Sequence, residues 1–284
     1  MKLIQLPIPG HPGASLEGYV LDCEISYGQE TARPAVLVCP GGGYLYCSPR
    51  EGEPVALRYA AQGFHAFLLR YSTGWDAGNF APLEEVSWAI GCLRHHAGEW
   101  NLDPEKIAVC GFSAGGHLAL ASGILGENRP NAMILGYPAA SAPNIPGADF
   151  MLKLLCGRKQ VTDEDAARFD LVSQIGPDAP PVFLVATSED LLTNYGALPI
   201  VRKYAALGKH CELHLFQYGP HGLSLADVTS CNGSSQVVDP AFAQWHGLSV
   251  LWLNRTFGEP KLVDKSVSRL AEHIRNMDFS PDAN

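Results

Sequence analysis

The stretch Ile107-Ala108-Val109-Cys110-Gly111-Phe112-Ser113-Ala114-Gly115-Gly116-His117-Leu118-Ala119-Leu120 decides how this chain is expected to fold. It begins with a short apolar, partly β-branched run that is long enough for a buried parallel strand. The pattern G-x-S-x-G follows, and an alanine- and leucine-rich helical pattern comes directly after it. A serine on such a tight strand-to-helix turn has strained backbone angles and needs small neighbours. This order predicts an exposed, nucleophilic Ser113 at a helix N-terminus, where a developing negative charge is favoured.

Length and composition predict a compact globular protein with a large hydrophobic core. The 284 residues are enough for one large α/β domain or two small ones. Hydrophobic residues make up 46% of the chain and charged residues 17%, and the formal net charge is −9. This negative charge, with no basic run in the sequence, argues against a nucleic acid or an anionic membrane surface as partner.

The N-terminus and the cysteines indicate a cytoplasmic protein without a metal site. The first seven residues lack the apolar core of a signal peptide, and no run approaches the length of a membrane span. The eight cysteines form no C-x-x-C pair and no cluster with histidines at metal-ligand spacing. We therefore expect free thiols and no bound metal.

Short apolar runs alternate with helical patterns, which predicts an α/β fold with a mostly parallel twisted sheet and helices on both faces. The predicted strands cover residues 19–25, 34–39, 65–71, 107–110, 132–136, 181–186 and 211–216. Besides the helix after Ser113, the predicted helices cover residues 54–62, 82–100, 195–207 and 242–252. Residues 1–284 are interpreted as a single domain.

Two segments depart from this alternation. Residues 137–180 are rich in proline, alanine and aspartate, and we expect a small cap-like insertion over the carboxyl edge of the sheet that shapes the substrate pocket. A surface excursion without such a role is the alternative. Residues 259–284 form a polar tail that is either loosely held or used in a contact between subunits, so homo-oligomer formation stays open.

Candidate functional residues follow the ends of predicted strands, where function gathers in a parallel sheet. They are Gly41–Gly43, Ser113, Asp190 and His221. A nucleophilic serine needs a base to take its proton, and the base needs a carboxylate that holds its tautomer. The order serine, aspartate, histidine is that of the α/β-hydrolase fold, with Glu189 as the rival acid. The glycines are either a flexible turn or one arm of an oxyanion hole.

Together these motifs resemble the bacterial acetyl-esterase and acetylxylan-esterase-like group of α/β-hydrolase serine esterases, which is related to the hormone-sensitive-lipase-like esterases. The similarity runs from about residue 20 to residue 258. It is carried by Pro40-Gly41-Gly42-Gly43-Tyr44, Asn101-Leu102-Asp103-Pro104, Gly111-Phe112-Ser113-Ala114-Gly115-Gly116-His117-Leu118, Asp190 and His221-Gly222-Leu223. Two positions depart from the group. Pro40 replaces a histidine that many relatives have, and Asn194-Tyr195 replaces a Val-Pro pair.

The resemblance implies a function and a set of roles. The implied roles are a nucleophile at Ser113, an acid at Asp190, a base at His221 and oxyanion N–H groups from Gly42, Gly43 and Ala114. The implied reaction is hydrolysis of short-chain acyl esters, acetyl esters above all, through an acyl-enzyme and without any cofactor. The implied partner is a small-molecule ester, with acetylated sugars or xylo-oligosaccharides as candidates.

Tyr44, Trp75 and the insertion at 137–180 are expected to form walls of the substrate pocket. Two other functions compete with ester hydrolysis. A peptidase of the prolyl-oligopeptidase type would share the nucleophile, but such enzymes usually carry a large additional domain for which 284 residues leave no room. A catalytically inactive binding scaffold would share the fold, but such scaffolds usually lack a triad member.

Overall fold

The structure of the chain is a computed structural model, which describes residues 1–22, 32–260 and 274–277. Its strands are β1 (Lys2–Ile8), β2 (His11–Val20), β3 (Arg33–Cys39), β4 (His65–Arg70), β5 (Leu102–Phe112), β6 (Ala132–Gly136), β7 (Val182–Thr187) and β8 (Cys211–Phe216). Its helices are α1 (Glu53–Ala60), α2 (Ala81–His95), α3 (Ala97–Trp100), α4 (Ala114–Ile124), α5 (Asp149–Cys156), α6 (Asp163–Arg168), α7 (Leu171–Gln174), α8 (Ala197–Ala206) and α9 (Trp245–Phe257).

The strands form one eight-stranded sheet in the order β1-β2-β4-β3-β5-β6-β7-β8. The pairs β1–β2 and β2–β4 are antiparallel, and every pair from β4 to β8 is parallel. In the parallel part, Val38 of β3 pairs with Cys110 of β5, and Cys110 pairs with Ile134 of β6. The mostly parallel sheet is therefore as predicted, and its carboxyl ends meet at one edge.

Strand residues alternate between two buried layers, one on each face of the sheet. Val36 and Val38 belong to the layer that contains α1 and α9. Leu37, between them, belongs to the opposite layer, which contains α2, α4 and α8. Both faces are covered by helices, and this is why inner parallel strands such as β6 and β7 are continuous apolar runs in the sequence.

The N-terminal segment differs from the prediction. A single strand over 19–25 was expected, but the chain forms a hairpin of β1 and β2 around Gly10, whose φ is +80°. Strand β2 ends at Val20, so the predicted strand begins one residue before the end of a longer one. Residues 23–25 lie outside the described residues, as does most of the predicted tail at 259–284.

The insertion at 137–180 contains α5, α6 and α7 and lies between β6 and β7. Helix α5 packs against the segment Gly74–Phe80, which follows β4. The long helix predicted over 82–100 is two helices, α2 and α3, that meet at His96. Among the described helices, none is long and apolar enough to cross a membrane.

Candidate active site

Ser113 lies on the turn between β5 and α4, at the carboxyl edge of the sheet. Its φ of +52° and ψ of −117° are a strained conformation for a residue with a side chain. The flanking glycines allow the turn because there is no room for a side chain at either one. A Cβ on Gly111 would lie 2.1 Å from the Gly115 carbonyl oxygen, and a Cβ on Gly115 would lie 2.0 Å from the Cys39 carbonyl oxygen.

The structure brings His221 and Asp190 together with Ser113. Nε2 of His221 is 2.9 Å from Oγ of Ser113, and Nδ1 of His221 is 2.8 Å from Oδ2 of Asp190. The Asp190 side chain is only 2% exposed, whereas the His221 side chain is 41% exposed. The other Asp190 oxygen accepts the Leu192 N–H at 2.9 Å, which fixes the carboxylate. A histidine in this position can accept the serine proton while the carboxylate holds its other nitrogen.

Glu189, the rival acid, makes a different contact. Its side chain is exposed, and Oε2 accepts the N–H of Gly219 at 2.9 Å. Gly219 is also held through its carbonyl oxygen, which accepts the Thr187 hydroxyl at 2.6 Å. Glu189 therefore supports the loop that carries His221, and Asp190 is the carboxylate that contacts the imidazole.

The loop Gly41–Gly43, called here the oxyanion loop, follows β3 and faces Ser113. Gly42 and Gly43 have φ of +124° and +64°, and a Cβ on Gly42 would lie 2.0 Å from the Tyr46 carbonyl oxygen. Between the described residues, no hydrogen bond uses the N–H of Gly42 or Gly43. Ala114 is the first residue of α4, where an N–H has no partner within its own helix. These three N–H groups are free to donate to a ligand.

An open cavity of about 780 Å³ contains Ser113, His221, Gly42 and Gly43 in its wall. The insertion at 137–180 supplies an apolar side of this cavity. The residues of the insertion that line it are Ala139, Ile145, Pro146, Gly147, Ala148, Phe150 and Met151. The ring of Phe150 lies against Gly43, because a Cβ on that glycine would be 3.1 Å from it.

Tyr44 and Trp75, predicted as pocket walls, do not line this cavity. Tyr44 is fully buried with φ of +60°, and its hydroxyl is 2.8 Å from Nδ1 of His117. The positive φ turns the residue into the core instead of toward the cavity. Trp75 is 54% exposed on the segment Gly74–Phe80. Tyr46, two residues beyond Tyr44, lines the cavity in its place.

His117 is a buried histidine directly behind the serine turn. Besides the Tyr44 hydroxyl, it contacts the Phe169 carbonyl oxygen, with Nε2 at 3.3 Å. Burial lowers the pKa of His117 to about 4, so its ring is neutral at neutral pH. Its ring connects Tyr44, the residue after the oxyanion loop, with Phe169 of the insertion. Its backbone N–H donates to the Ser113 carbonyl oxygen at 3.0 Å, whereas the Ser113 hydroxyl contacts the ring of His221.

Glu51 and Tyr137 are two residues near the site that the sequence did not reveal. Glu51 is only 4% exposed, and Oε2 accepts the N–H of Gly41 at 2.9 Å. Its Oε1 accepts the Tyr137 hydroxyl at 2.6 Å. Burial and the neighbouring Glu51 carboxylate raise the pKa of Tyr137 well above its usual value. No local pattern marks these residues, because they are far apart in the chain.

Within the described part of the chain, no group of three or more histidine, cysteine or acidic side chains could hold a metal ion. The seven cysteines that the structure describes are free thiols. The arrangement around Ser113 brings together a hydroxyl, an imidazole and backbone N–H groups that no hydrogen bond between described residues uses.

Comparison with known proteins decides the family. A family model described as BD-FAE matches residues 21–197, which is more than half of the chain. The chain belongs to the BD-FAE family.

Two curated relatives of this BD-FAE member have names that refer to xylan. Endo-1,4-beta-xylanase B of Butyrivibrio fibrisolvens is 30% identical over 243 residues, which are 78% of this chain and 35% of that protein. An acetylxylan esterase of Xylanibacter ruminicola is 27% identical over 207 residues, which are 66% of this chain and 40% of that protein. The chain thus spans well under half the length of these relatives.

Two solved structures match this BD-FAE chain over most of their own length and most of its length. MGS-M1, an α/β hydrolase from a Medee basin deep-sea metagenome library, is 35% identical with a TM-score of 0.77, covering 90% of this chain and 98% of that chain. An acetyl ester-xyloside bifunctional hydrolase of Caldicellulosiruptor lactoaceticus is 28% identical with a TM-score of 0.73, covering 86% and 88%. The predicted α/β-hydrolase fold and the resemblance to acetyl-esterase-like proteins are confirmed.

Proposed function

We propose that this chain is a serine carboxylesterase that removes short acyl groups, acetyl above all, from the hydroxyl groups of sugars such as xylo-oligosaccharides. One observation carries the proposal. The hydrogen-bonded series Asp190–His221–Ser113 opens into a cavity at the point where the N–H groups of Gly42 and Gly43 are unused between described residues.

The first half of the reaction forms an acyl-enzyme. Asp190 holds the proton of His221 on Nδ1, so Nε2 has a lone pair that faces the Ser113 hydroxyl at 2.9 Å. Nε2 takes the hydroxyl proton while Oγ bonds to the ester carbonyl carbon. The carbon–oxygen bond to the alcohol then breaks, and the departing alcohol oxygen receives the proton from Nε2.

The second half returns the free enzyme. Nε2 of His221 takes a proton from water while the water oxygen bonds to the acyl carbon, and Oγ of Ser113 leaves with that proton. The product is a carboxylic acid. In both halves the carbonyl oxygen becomes negative, and the N–H groups of Gly42, Gly43 and Ala114 stabilise it. Each such donor contributes about 3 kcal/mol to lowering the barrier.

The cavity supports a substrate whose alcohol part is larger than its acyl part. Its volume of about 780 Å³ is in the range of sites that enclose a whole small-molecule ligand. An acetyl group fills a small fraction of that space, so the rest is available to an alcohol the size of a sugar. The names of the acetylxylan esterase and of the acetyl ester-xyloside hydrolase point to the same class.

The test is hydrolysis of p-nitrophenyl acetate, butyrate and octanoate, followed by acetate release from acetylated xylo-oligosaccharides. Ser113→Ala is measured beside Ser122→Ala, a matched control. Ser122 is a buried serine of α4 whose hydroxyl donates to the Ala119 carbonyl oxygen. A fluorophosphonate probe reports whether Ser113 is nucleophilic in the folded protein.

We expect acetate to be the fastest simple ester, Ser113→Ala to be inactive and unlabelled, and Ser122→Ala to be active. Faster cleavage of a peptide anilide than of any ester would instead support a peptidase. A folded protein that neither cleaves esters nor reacts with the probe would be an inactive scaffold. Activity on simple esters without acetate release from the oligosaccharides would support ester hydrolysis but contradict a sugar ester as the substrate.

A further inference from the structure

A buried hydrogen-bonded bridge connects the oxyanion loop with the loop that carries His221. Glu51 accepts the N–H of Gly41 at 2.9 Å and the hydroxyl of Tyr137 at 2.6 Å. The Tyr137 oxygen in turn accepts the N–H of Ser224 at 2.8 Å, three residues after His221. Both bridge residues are buried, with Glu51 4% and Tyr137 1% exposed.

One end of the bridge lies next to the nucleophile. A Cβ on Gly41 would be 2.6 Å from the Glu51 carboxylate and 3.0 Å from Cβ of Ser113, so Gly41 fills the narrow space between the two side chains. Its carbonyl oxygen accepts the Ser48 N–H at 2.9 Å. Because consecutive glycines have wide conformational freedom, these two hydrogen bonds determine where the next N–H, that of Gly42, points.

The other end of the bridge lies next to the base. The Tyr137 ring stands nearly perpendicular to the His221 ring, with their centroids 5.0 Å apart. Ser224 is further fixed because its hydroxyl donates to the Arg50 carbonyl oxygen at 2.6 Å, directly before Glu51 in the chain. The loop of His221 is therefore tied twice to the segment that holds the oxyanion loop.

We propose that Glu51 and Tyr137 are positioning residues that hold the oxyanion loop and the His221 loop in the relative position required for ester hydrolysis. This inference rests on the proposed function. The oxyanion donors and the base act on the same substrate carbonyl, so a shift of either loop misplaces one against the other. An error of about 1 Å in such a site can slow a reaction by about 100-fold.

Two conservative substitutions break the bridge without changing its shape. In Glu51→Gln the amide can accept from one of the two donors, and its NH2 group then faces the other. Tyr137→Phe removes a single oxygen atom and leaves the ring against His221. Each variant has a matched control away from the site. Glu85 is a fully buried carboxylate that accepts the N–H and hydroxyl of Ser72, and Tyr59 is a fully buried tyrosine whose hydroxyl contacts Ser249.

The measurements are kcat and KM for p-nitrophenyl acetate, the inhibition constant of a trifluoromethyl ketone, and the melting temperature. The ketone forms a hemiketal with a nucleophilic serine, and the oxygen of this hemiketal occupies the oxyanion position. Acylation and deacylation use the same donors, so both slow together when the donors shift. We expect kcat to fall about tenfold or more in Glu51→Gln and Tyr137→Phe with little change in KM.

Three further results are expected. The affinity for the ketone falls by the same factor as kcat. The double variant loses no more kcat than the more impaired of the two single variants, because both substitutions break the same bridge. Glu85→Gln and Tyr59→Phe lower the melting temperature and leave kcat and ketone binding unchanged. Unchanged kcat and ketone binding in Tyr137→Phe would overturn the inference, whether or not Glu51→Gln folds.

Ser113→Ala, measured in parallel, separates the two proposals. If Ser113→Ala keeps its activity, the proposed function is wrong. If Ser113→Ala is inactive while both bridge variants behave as their controls do, only the positioning role is wrong. A loss of kcat that the control variants share in proportion to their loss of melting temperature would also reject it, because it would reflect stability alone.

Discussion

Replacing Asp190 by asparagine tests the carboxylate that contacts His221. The substitution keeps the size of the side chain, and the amide oxygen can still accept the Leu192 N–H that Asp190 accepts at 2.9 Å. The amide NH2 group, however, takes the place of the oxygen that lies 2.8 Å from Nδ1 of His221. Two donors cannot face each other, so Nδ1 must become the acceptor and the ring proton moves to Nε2.

The size of the effect follows from this change of tautomer. Nε2 lies 2.9 Å from the Ser113 hydroxyl and would then have no lone pair to receive the serine proton. The corresponding substitution in a serine protease lowers kcat by about 10⁴. At about 1.4 kcal/mol for each factor of ten, this loss is about 5 kcal/mol of barrier. We expect a loss of this size for Asp190→Asn, with little change in melting temperature.

The assay is kcat/KM for p-nitrophenyl acetate, together with the rate of labelling by a fluorophosphonate. Glu189→Gln is the matched control, because its amide oxygen can still accept the Gly219 N–H that Glu189 accepts at 2.9 Å. It should stay close to the wild type in both measurements. Labelling rates distinguish a slow variant from traces of wild-type enzyme, since a contaminant labels fast but with low stoichiometry.

Two results would refute this reasoning. If Asp190→Asn keeps more than about a tenth of the activity, the tautomer of His221 does not depend on Asp190 as argued. If Glu189→Gln shows the larger loss, Glu189 is the acid and the loop rearranges during the reaction.

Two further predictions concern the core and the cavity. Burial lowers the pKa of His117 to about 4 in the folded protein, while the same histidine in the unfolded chain binds its proton near pH 6.5. Lowering the pH from 7 to 5 should therefore reduce the free energy of unfolding by about 2 kcal/mol, because the unfolded chain takes up this proton and the folded protein does not. Urea unfolding at both pH values should show a smaller difference in His117→Gln, and an equal difference would contradict the argument. Phe150→Ala should raise the rate on octanoate relative to acetate by about tenfold, because the ring lies against Gly43 and lines the cavity. Leu251→Ala, at another exposed apolar residue, should leave the ratio unchanged, and an unchanged ratio in Phe150→Ala would place the acyl chain elsewhere.

The parallel part of the sheet could be predicted closely because strands buried on both faces are continuous apolar runs. The strand predicted at 132–136 has the same bounds as β6, which is fully buried. The strand predicted at 211–216 has the same bounds as β8, but β8 is a half-buried edge strand in which apolar residues alternate with Glu212 and His214. Strand β1 could not be predicted in this way. Most of its residues are exposed or half-buried and Pro7 interrupts the run, so its structure depends on pairing with β2.

The meeting of the three candidate site residues at one place was predictable for a topological reason. Ser113, Asp190 and His221 each follow a strand, and a parallel sheet brings strand ends to one edge wherever they lie in the sequence. The direction of a side chain does not follow from such reasoning. Tyr44 was predicted on the pocket wall, but its φ of +60° and its contact with His117 place it in the core.

Glu51 could not be predicted because a lone glutamate in a loop is usually on the surface. Its burial depends on donors that are 10 and 86 residues away, in Gly41 and Tyr137. Its charge also favours a positioning role over a direct electrostatic one. The proposed reaction creates a negative oxyanion and a positive imidazolium together, and Glu51 connects the two loops that would hold them. The Glu51 carboxylate would repel the oxyanion and attract the imidazolium, so its two electrostatic effects on the barrier oppose each other. The contribution of Glu51 that no opposing effect reduces is geometric, because its hydrogen bonds to Gly41 and Tyr137 fix the positions of both.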